Sequence, residues 1–223
     1  MSIDVIPCCA DLDHFDYKNV RKEDVESVRK KLGIPADKRV ITYLGSIGGW
    51  YMIKEMFQFF NQLQQQYPEY VMLLLTKDDP SIIQREAASL NINPDQIFIT
   101  YADRKTLPFY MALSNCSIFF IRNTFSKMAS SPTKHAELMG MGIPVICNDI
   151  GDTGNIIQMT QTGILIDKFD DEYLQDFVGK VESMEKLDKS YIRSCAQTLF
   201  DLKTGSDKYL QIYNSILSVG GLN

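Results

Sequence analysis

The sequence predicts an α/β fold: a Rossmann-like doubly wound parallel sheet of about six strands with C-terminal helices. Three observations carry this. Short apolar runs rich in Val, Ile, Leu and Phe recur without period-two alternation, as in strands buried on both faces. Helical patterns separate them, and a succession of βα units winds into one parallel sheet through right-handed crossovers. Hydrophobic residues make up 45% of the 223, enough for one large α/β domain with a real core, or for two small ones.

The predicted strands are residues 40–44, 71–75, 97–100, 117–121, 144–147 and 163–166. The predicted helices between them are 51–66, 80–90, 105–114, 132–142 and 153–160. In the first of these, Met52, Met56, Phe59, Phe60 and Leu63 recur at helical spacing. Three more apolar stripes, over 170–187, 189–202 and 206–217, predict closing helices. Tyr209, Ile212, Tyr213, Ile216 and Leu217 fall on one face of the last, a pattern read as packing. In the strand order 3-2-1-4-5-6, the first and fourth strands lie side by side, and ligands bind off their carboxyl ends. The loops leaving those two strands are 45–50 and 122–131.

The formal net charge of -5 gives no electrostatic support to a nucleic-acid partner. Five cysteines without paired spacing point to a reducing compartment, and adjacent Cys8 and Cys9 suit neither a metal nor an ordinary disulfide. No apolar run approaches the ~20 residues of a membrane span, and no signal-peptide pattern opens the chain. The expectation is a cytoplasmic protein. His14 and His135 lack the neighbours of a metal site. Trp50 is read as a buried structural residue, with stacking on a ligand or closure of an interdomain cleft as the alternative.

The most informative stretch is Ser131-Pro-Thr-Lys-His-Ala-Glu137. Ser131 reads as a helix N-cap and Pro132 as the first helical residue. Unpaired N–H groups at such a start attract anions. The helix dipole disfavours a lysine there, so Lys134 suggests a bound anion such as phosphate. Glu137 follows one turn on, on the face of Thr133 and Lys134. A carboxylate there can accept the two hydroxyls of a ribose or a sugar. Gly45 and Ser46 end the first strand at the switch point. Tyr101 to Arg104 leave the third strand. Asp149, Gly151 and Asp152 follow the fifth, where Asp152 suits a cap or a sugar contact equally.

Val5-Ile-Pro-Cys-Cys-Ala-Asp-Leu-Asp-His-Phe15 resembles the "IPNGVDxxxF" segment of retaining glycosyltransferases with the two-domain GT-B fold. Ile41-Thr-Tyr-Leu-Gly-Ser46 resembles the first strand and glycine loop of their second domain. Ser131 to Ile146 resembles their donor-nucleotide segment in its Pro-Thr-Lys-x-x-Glu form. Phe200 to Leu217 resembles their closing helix. The likeness departs in three places. Ala129 stands where a first glutamate is common. Ser46 and Gly48-Gly49-Trp50 replace a basic stretch. Thr76-Lys-Asp-Asp-Pro80 replaces a glycine-rich turn.

The resemblance implies the donor-binding domain of a glycosyltransferase of the hexosyltransferase type, active in polysaccharide biosynthesis. Residues 1–20 would be an interdomain linker segment and 21–223 the nucleotide-sugar-binding domain. The N-terminal acceptor domain would be absent and the isolated half inactive. The donor would be a UDP- or GDP-linked sugar, the acceptor a glycan or lipid-linked molecule, with peripheral membrane contact in the full-length enzyme. No cofactor or metal is implied. Catalytic roles would fall to Lys134 and Glu137, and donor binding to Gly45, Ser46, Tyr101, Ser131, Thr133, Lys134 and Glu137. Two other readings stay open: a nucleotide-sugar epimerase of GT-B architecture, and a non-catalytic domain that binds a nucleotide or a partner.

Overall fold

The computed structural model describes residues 4–220. Six strands alternate with helices: α1 (Lys22–Leu32), β1 (Arg39–Leu44), α2 (Ile53–Gln66), β2 (Tyr70–Leu75), α3 (Pro80–Ser89), β3 (Ile97–Thr100), α4 (Leu107–Met111), β4 (Cys116–Phe119), α5 (Thr133–Gly140), β5 (Val145–Cys147), α6 (Thr153–Thr160) and β6 (Gly163–Leu165). Helices α7 (Asp171–Val178), α8 (Val181–Glu185), α9 (Lys189–Phe200) and α10 (Leu202–Gly220) follow. The sheet is parallel throughout, in the order β3-β2-β1-β4-β5-β6. This is the predicted doubly wound order, and it sets β1 beside β4.

Burial explains why the strands read as unbroken apolar runs. Every residue of β2 and β4 is buried, because neighbouring strands and covering helices take both edges and both faces. β3, at one edge, is half-buried along its length. Helix α2 turns Met56, Phe57, Phe59, Phe60 and Leu63 into the core. Helix α1 falls in a charged stretch where no element was predicted. Val25 and Val28 pack onto the core, and Gly33 ends the helix at φ +72°. The single stripe over 170–187 becomes α7 and α8, with Gly179 at the α7 C-cap.

Residues 4–20, expected as a linker segment, lie against the domain. Ala10 N–H donates to the Phe200 carbonyl at 2.9 Å. Buried Arg193 donates to the carbonyls of Leu12, Phe15 and Gly140 at 2.7, 2.7 and 2.8 Å and pairs with Asp16 at 2.9 Å. Gly140 allows this approach. A Cβ there would meet Leu12 at 2.8 Å and the Phe15 carbonyl at 2.9 Å.

The α10 stripe departs from its expected role. Tyr209, Tyr213, Ile216 and Leu217 are exposed, so the face is apolar without being packed. With Asp4, Val5 and Ile6, α10 borders surface hollows of about 440 and 520 Å³. Among the described residues, no helix is long and apolar enough to cross a membrane.

Candidate functional site

The β1–β4 junction brings Gly45 and Lys134 together. Gly45 leaves β1 with φ +128°, a conformation few side chains tolerate. A Cβ at Gly45 would stand 2.6 Å from the Lys134 Nζ, so glycine is also what admits that side chain. The Ser46 carbonyl accepts from the Tyr43 hydroxyl, and Ile47 N–H donates to the Asp78 carboxylate. The far end of the loop is pinned to the segment just after β4, with Arg122 N–H donating to the Trp50 carbonyl at 2.7 Å and Met52 N–H to that of Phe120 at 3.0 Å. Trp50 itself is 47% exposed, not a core residue. Its ring faces outward under the Lys127 ammonium, 5.3 Å away.

Lys134 is 9% exposed, and its Nζ has no hydrogen-bond partner among the described residues. The Nζ lies 3.8 Å from the Tyr51 ring centroid, 4.7 Å from Tyr43 and 5.8 Å from Phe119. Desolvation lowers its pKa to about 7, with Glu137 opposing. The aromatic cage offsets part of the cost of burying a cation. Periodicity assigned Tyr43, Tyr51 and Phe119 to strands and helix; nothing in it indicated that they converge on one amine.

Ser131 is not the cap the sequence predicted. The N-cap position of α5 falls to Pro132, in extended conformation, and Thr133 is the first helical residue. Ser131 Oγ accepts from the Cys8 N–H at 3.1 Å, and the adjoining Ser130 carbonyl accepts from the Asp152 N–H at 3.2 Å. The pair ties the N-terminal segment to the loop after β5 instead. The start of α5 therefore has no side-chain cap, and exposed Thr133 stands at its opening. Asp152 Oδ1 is buried and lacks a partner among the described residues. Gly151 is required here, since a Cβ would overlap the Ser130 carbonyl at 1.9 Å.

Glu137 lies one turn beyond Lys134, with its Oε1 3.6 Å from the Arg104 guanidinium. Burial raises its pKa, opposed first by Arg104 and then by Lys134 and His14. Gly45, Ser46 and half-exposed Tyr101 line one cleft of about 210 Å³ with Leu75, Thr76, Lys77 and Leu107. The Lys77 ammonium sits 4.9 Å from the Tyr101 ring centroid. Lys134 backs this cleft at Gly45, and Glu137 meets Arg104, three residues beyond Tyr101. Ser131 faces Cys8 instead, and Thr133 is exposed at the start of α5. His135 is fully buried between Phe119 and Phe200, and desolvation lowers its pKa to about 4, so it is neutral. Among the described residues, no three His, Cys, Asp or Glu side chains are placed to hold a metal.

The arrangement sets the uncapped start of α5 and the Lys134 amine beside Gly45 at the switch point, next to a cleft off the ends of β1 to β3, with the Glu137 carboxylate one turn further along α5. A family model described as glycosyl transferases group 1 matches residues 24–197. Solved structures share the fold. A glycosyltransferase from Rickettsia africae ESF-5 is 20% identical, with a TM-score of 0.80 over 96% of this chain and 57% of its own. Anabaena Alr3699/HepE in complex with UDP and glucose is 16% identical, with a TM-score of 0.74 over 95% and 56%. The sucrose-phosphate synthase of Thermosynechococcus elongatus is 20% identical, with a TM-score of 0.68 over 97% and 53%. The chain thus spans little more than half the length of these proteins. No curated protein matches it.

Proposed function

The chain belongs to the glycosyl transferases group 1 family, and we propose that it binds the nucleotide-sugar donor of a hexosyl transfer, with a glycan or lipid-linked acceptor. One observation carries the proposal. A buried amine without a hydrogen-bond partner among the described residues stands at the start of α5, against Gly45 at the switch point, with a carboxylate one helical turn away. A diphosphate suits the first pair and a ribose diol the second. Complexes of Alr3699/HepE with UDP and with UDP-glucose support a uridine donor by analogy of fold. A guanosine donor fits the same residue roles.

In this reading, first-turn N–H groups of α5 and the Thr133 hydroxyl meet the diphosphate, and Lys134 swings from its cage to join them. Gly45 and Ser46 let backbone approach the phosphates closely. The loop from Tyr101 to Arg104 borders the base, and Glu137 accepts the ribose hydroxyls. Catalysis would be electrostatic. N–H groups and the Lys134 ammonium neutralise charge that develops on the leaving diphosphate. The tract from Arg104 to Ala136 contains no Asp or Glu in a chain of net charge -5, which favours an anionic ligand on this rim. We place the activity in the cytoplasm and in polysaccharide biosynthesis, with the acceptor held by a further domain.

Two features favour a second reading, a non-catalytic nucleotide-binding domain. Ala129 offers no carboxylate to a donor sugar, and the Asp78 carboxylate occupies the Ile47 N–H in the glycine loop. Calorimetry with UDP, GDP, UDP-glucose and pyrophosphate separates the readings. A donor site binds UDP-glucose at least as well as UDP and releases labelled glucose slowly. A purely nucleotide-binding domain gains nothing from the sugar. Absence of nucleotide binding refutes both.

A further inference from the structure

Three segments meet at Arg104. Its guanidinium lies 5.3 Å from the Phe15 ring centroid, and its backbone carbonyl is 2.8 Å from His14 Nε2. Its Nη1 lies 3.6 Å from Glu137 Oε1. Phe15 is fully buried, and its carbonyl is held in turn by Arg193, so the platform under the guanidinium is fixed. The two charged partners are unequal. The Arg104 side chain is 63% exposed and that of Glu137 is 13% exposed. The cation reaches inward to a carboxylate already sunk in the fold. Their separation exceeds hydrogen-bond length, so the pair forms without consuming the carboxylate's lone pairs.

We propose that Arg104 is the positioning residue of Glu137: clamped on Phe15 and His14, it holds the carboxylate at ion-pair distance and leaves its oxygens free to accept a diol. The proposal rests on the reading of Glu137 as the ribose acceptor. It adds a residue that acts through another, and it gives the segment around His14 and Phe15 a part in the site. The electrostatics agree. Burial drives Glu137 toward its neutral form, which accepts a diol less well, and Arg104 is the first group that opposes this. The other charged or titratable neighbours are Lys134 on the same helix and His14 on the N-terminal segment. Lys134 loses its charge near neutral pH, so Arg104 is the neighbour whose charge persists.

The test compares Arg104→Ala, Arg104→Lys, Glu137→Gln and the double variant Arg104→Ala/Glu137→Gln. Thermal unfolding first establishes that each is folded. The titration of Glu137 is followed by carboxyl-carbon NMR, its signal assigned by its loss in Glu137→Gln. The midpoint is expected to rise in Arg104→Ala and to return toward the native value in Arg104→Lys. UDP and inorganic pyrophosphate are then titrated by calorimetry from acid to neutral pH. Arg104→Ala should weaken UDP about fivefold, the scale of an ion pair with one exposed partner. The loss should grow toward acid pH, leave pyrophosphate unchanged and vanish in the Glu137→Gln background. An unmoved Glu137 midpoint overturns the proposal. So do equal losses for the two ligands, or a UDP loss that persists without Glu137, since Arg104 would then bind the nucleotide itself. If the native chain binds no UDP, the donor-site reading falls, and the NMR titration still decides what Arg104 does to Glu137.

Discussion

Burial lowers the Lys134 amine from its ordinary 10.5 to about 7, and this has consequences for stability and for binding. Between those two values the unfolded chain binds more protons than the folded one, so the group adds stability as pH rises through that window. Lys134→Met should therefore stabilise the unliganded protein at neutral pH and flatten its stability profile above pH 7. A melt series on both proteins reads this directly. Binding runs the other way. An anion favours the protonated amine, so a diphosphate should bind with proton uptake and lose affinity as pH rises above about 7. Calorimetry in two buffers of different ionisation heat measures the uptake, which Lys134→Met should abolish. At neutral pH, Lys134→Ala should cost roughly 1–3 kcal/mol of diphosphate affinity, the range for a charge-assisted hydrogen bond. Unchanged affinity and no proton uptake would remove Lys134 from the site. His135 gives a separate acid limb. Its folded value near 4 lies below the ordinary 6.5, so its contribution is whole above 6.5 and is lost as pH falls to 4. That loss is about 3 kcal/mol on the scale of the shift. His135→Phe should lack this limb.

At the scale of elements, the site depends on how α5 is seated. Arg193 joins α9, α5 and the N-terminal segment through three carbonyls and Asp16. Arg193→Leu would leave those carbonyls unpaired and Asp16 without its cation. A cost of about 3–5 kcal/mol is expected, the range for breaking a buried pair. Hydrogen exchange should rise first around residues 10–16 and the start of α9, and uniform protection there would contradict this account. The strands were legible in the sequence because burial on both faces writes itself as continuous apolar runs. The switch point followed from their order alone. The start of α5 lies one residue later than its pattern suggests, since Pro132 suits both an N-cap neighbour and a first turn, and the Ser131 hydroxyl is engaged by the Cys8 N–H. Helical spacing identified the apolar faces of α2 and α10 equally well. It reports which face is apolar and is silent on what covers it, so the exposed stripe of α10 was not distinguishable from the buried one of α2. Likewise, the convergence of Tyr43, Tyr51 and Phe119 on Lys134, and of His14, Phe15 and Arg104 beside Glu137, depends on contacts between segments far apart in sequence.

At the scale of the whole molecule, the question is how much of a transfer reaction these residues can perform. The described elements form a cleft at the carboxyl ends of β1 to β3, proposed above as the donor side, and Lys134 of α5 reaches its Gly45 wall. This chain spans little more than half of the solved structures it resembles, and the acceptor side is proposed to lie in such additional chain. Holding two reactants in attack geometry is worth roughly 7–11 kcal/mol of barrier lowering. A donor bound in an open cleft also remains wet, so the charge stabilisation offered by α5 and Lys134 is weaker than in a closed site. Residues 1–223 should therefore bind UDP-glucose or a GDP-linked sugar weakly, hydrolyse it slowly and glycosylate acceptors at a negligible rate. A labelled-donor assay over a broad acceptor panel is the measurement. Addition of a separately expressed acceptor domain should raise transfer while leaving donor affinity within a few-fold. Robust acceptor glycosylation by residues 1–223 alone would refute this division of labour, and the acceptor would then have to dock on the same rim, between the glycine loop and the loop that carries Phe125 and Lys127.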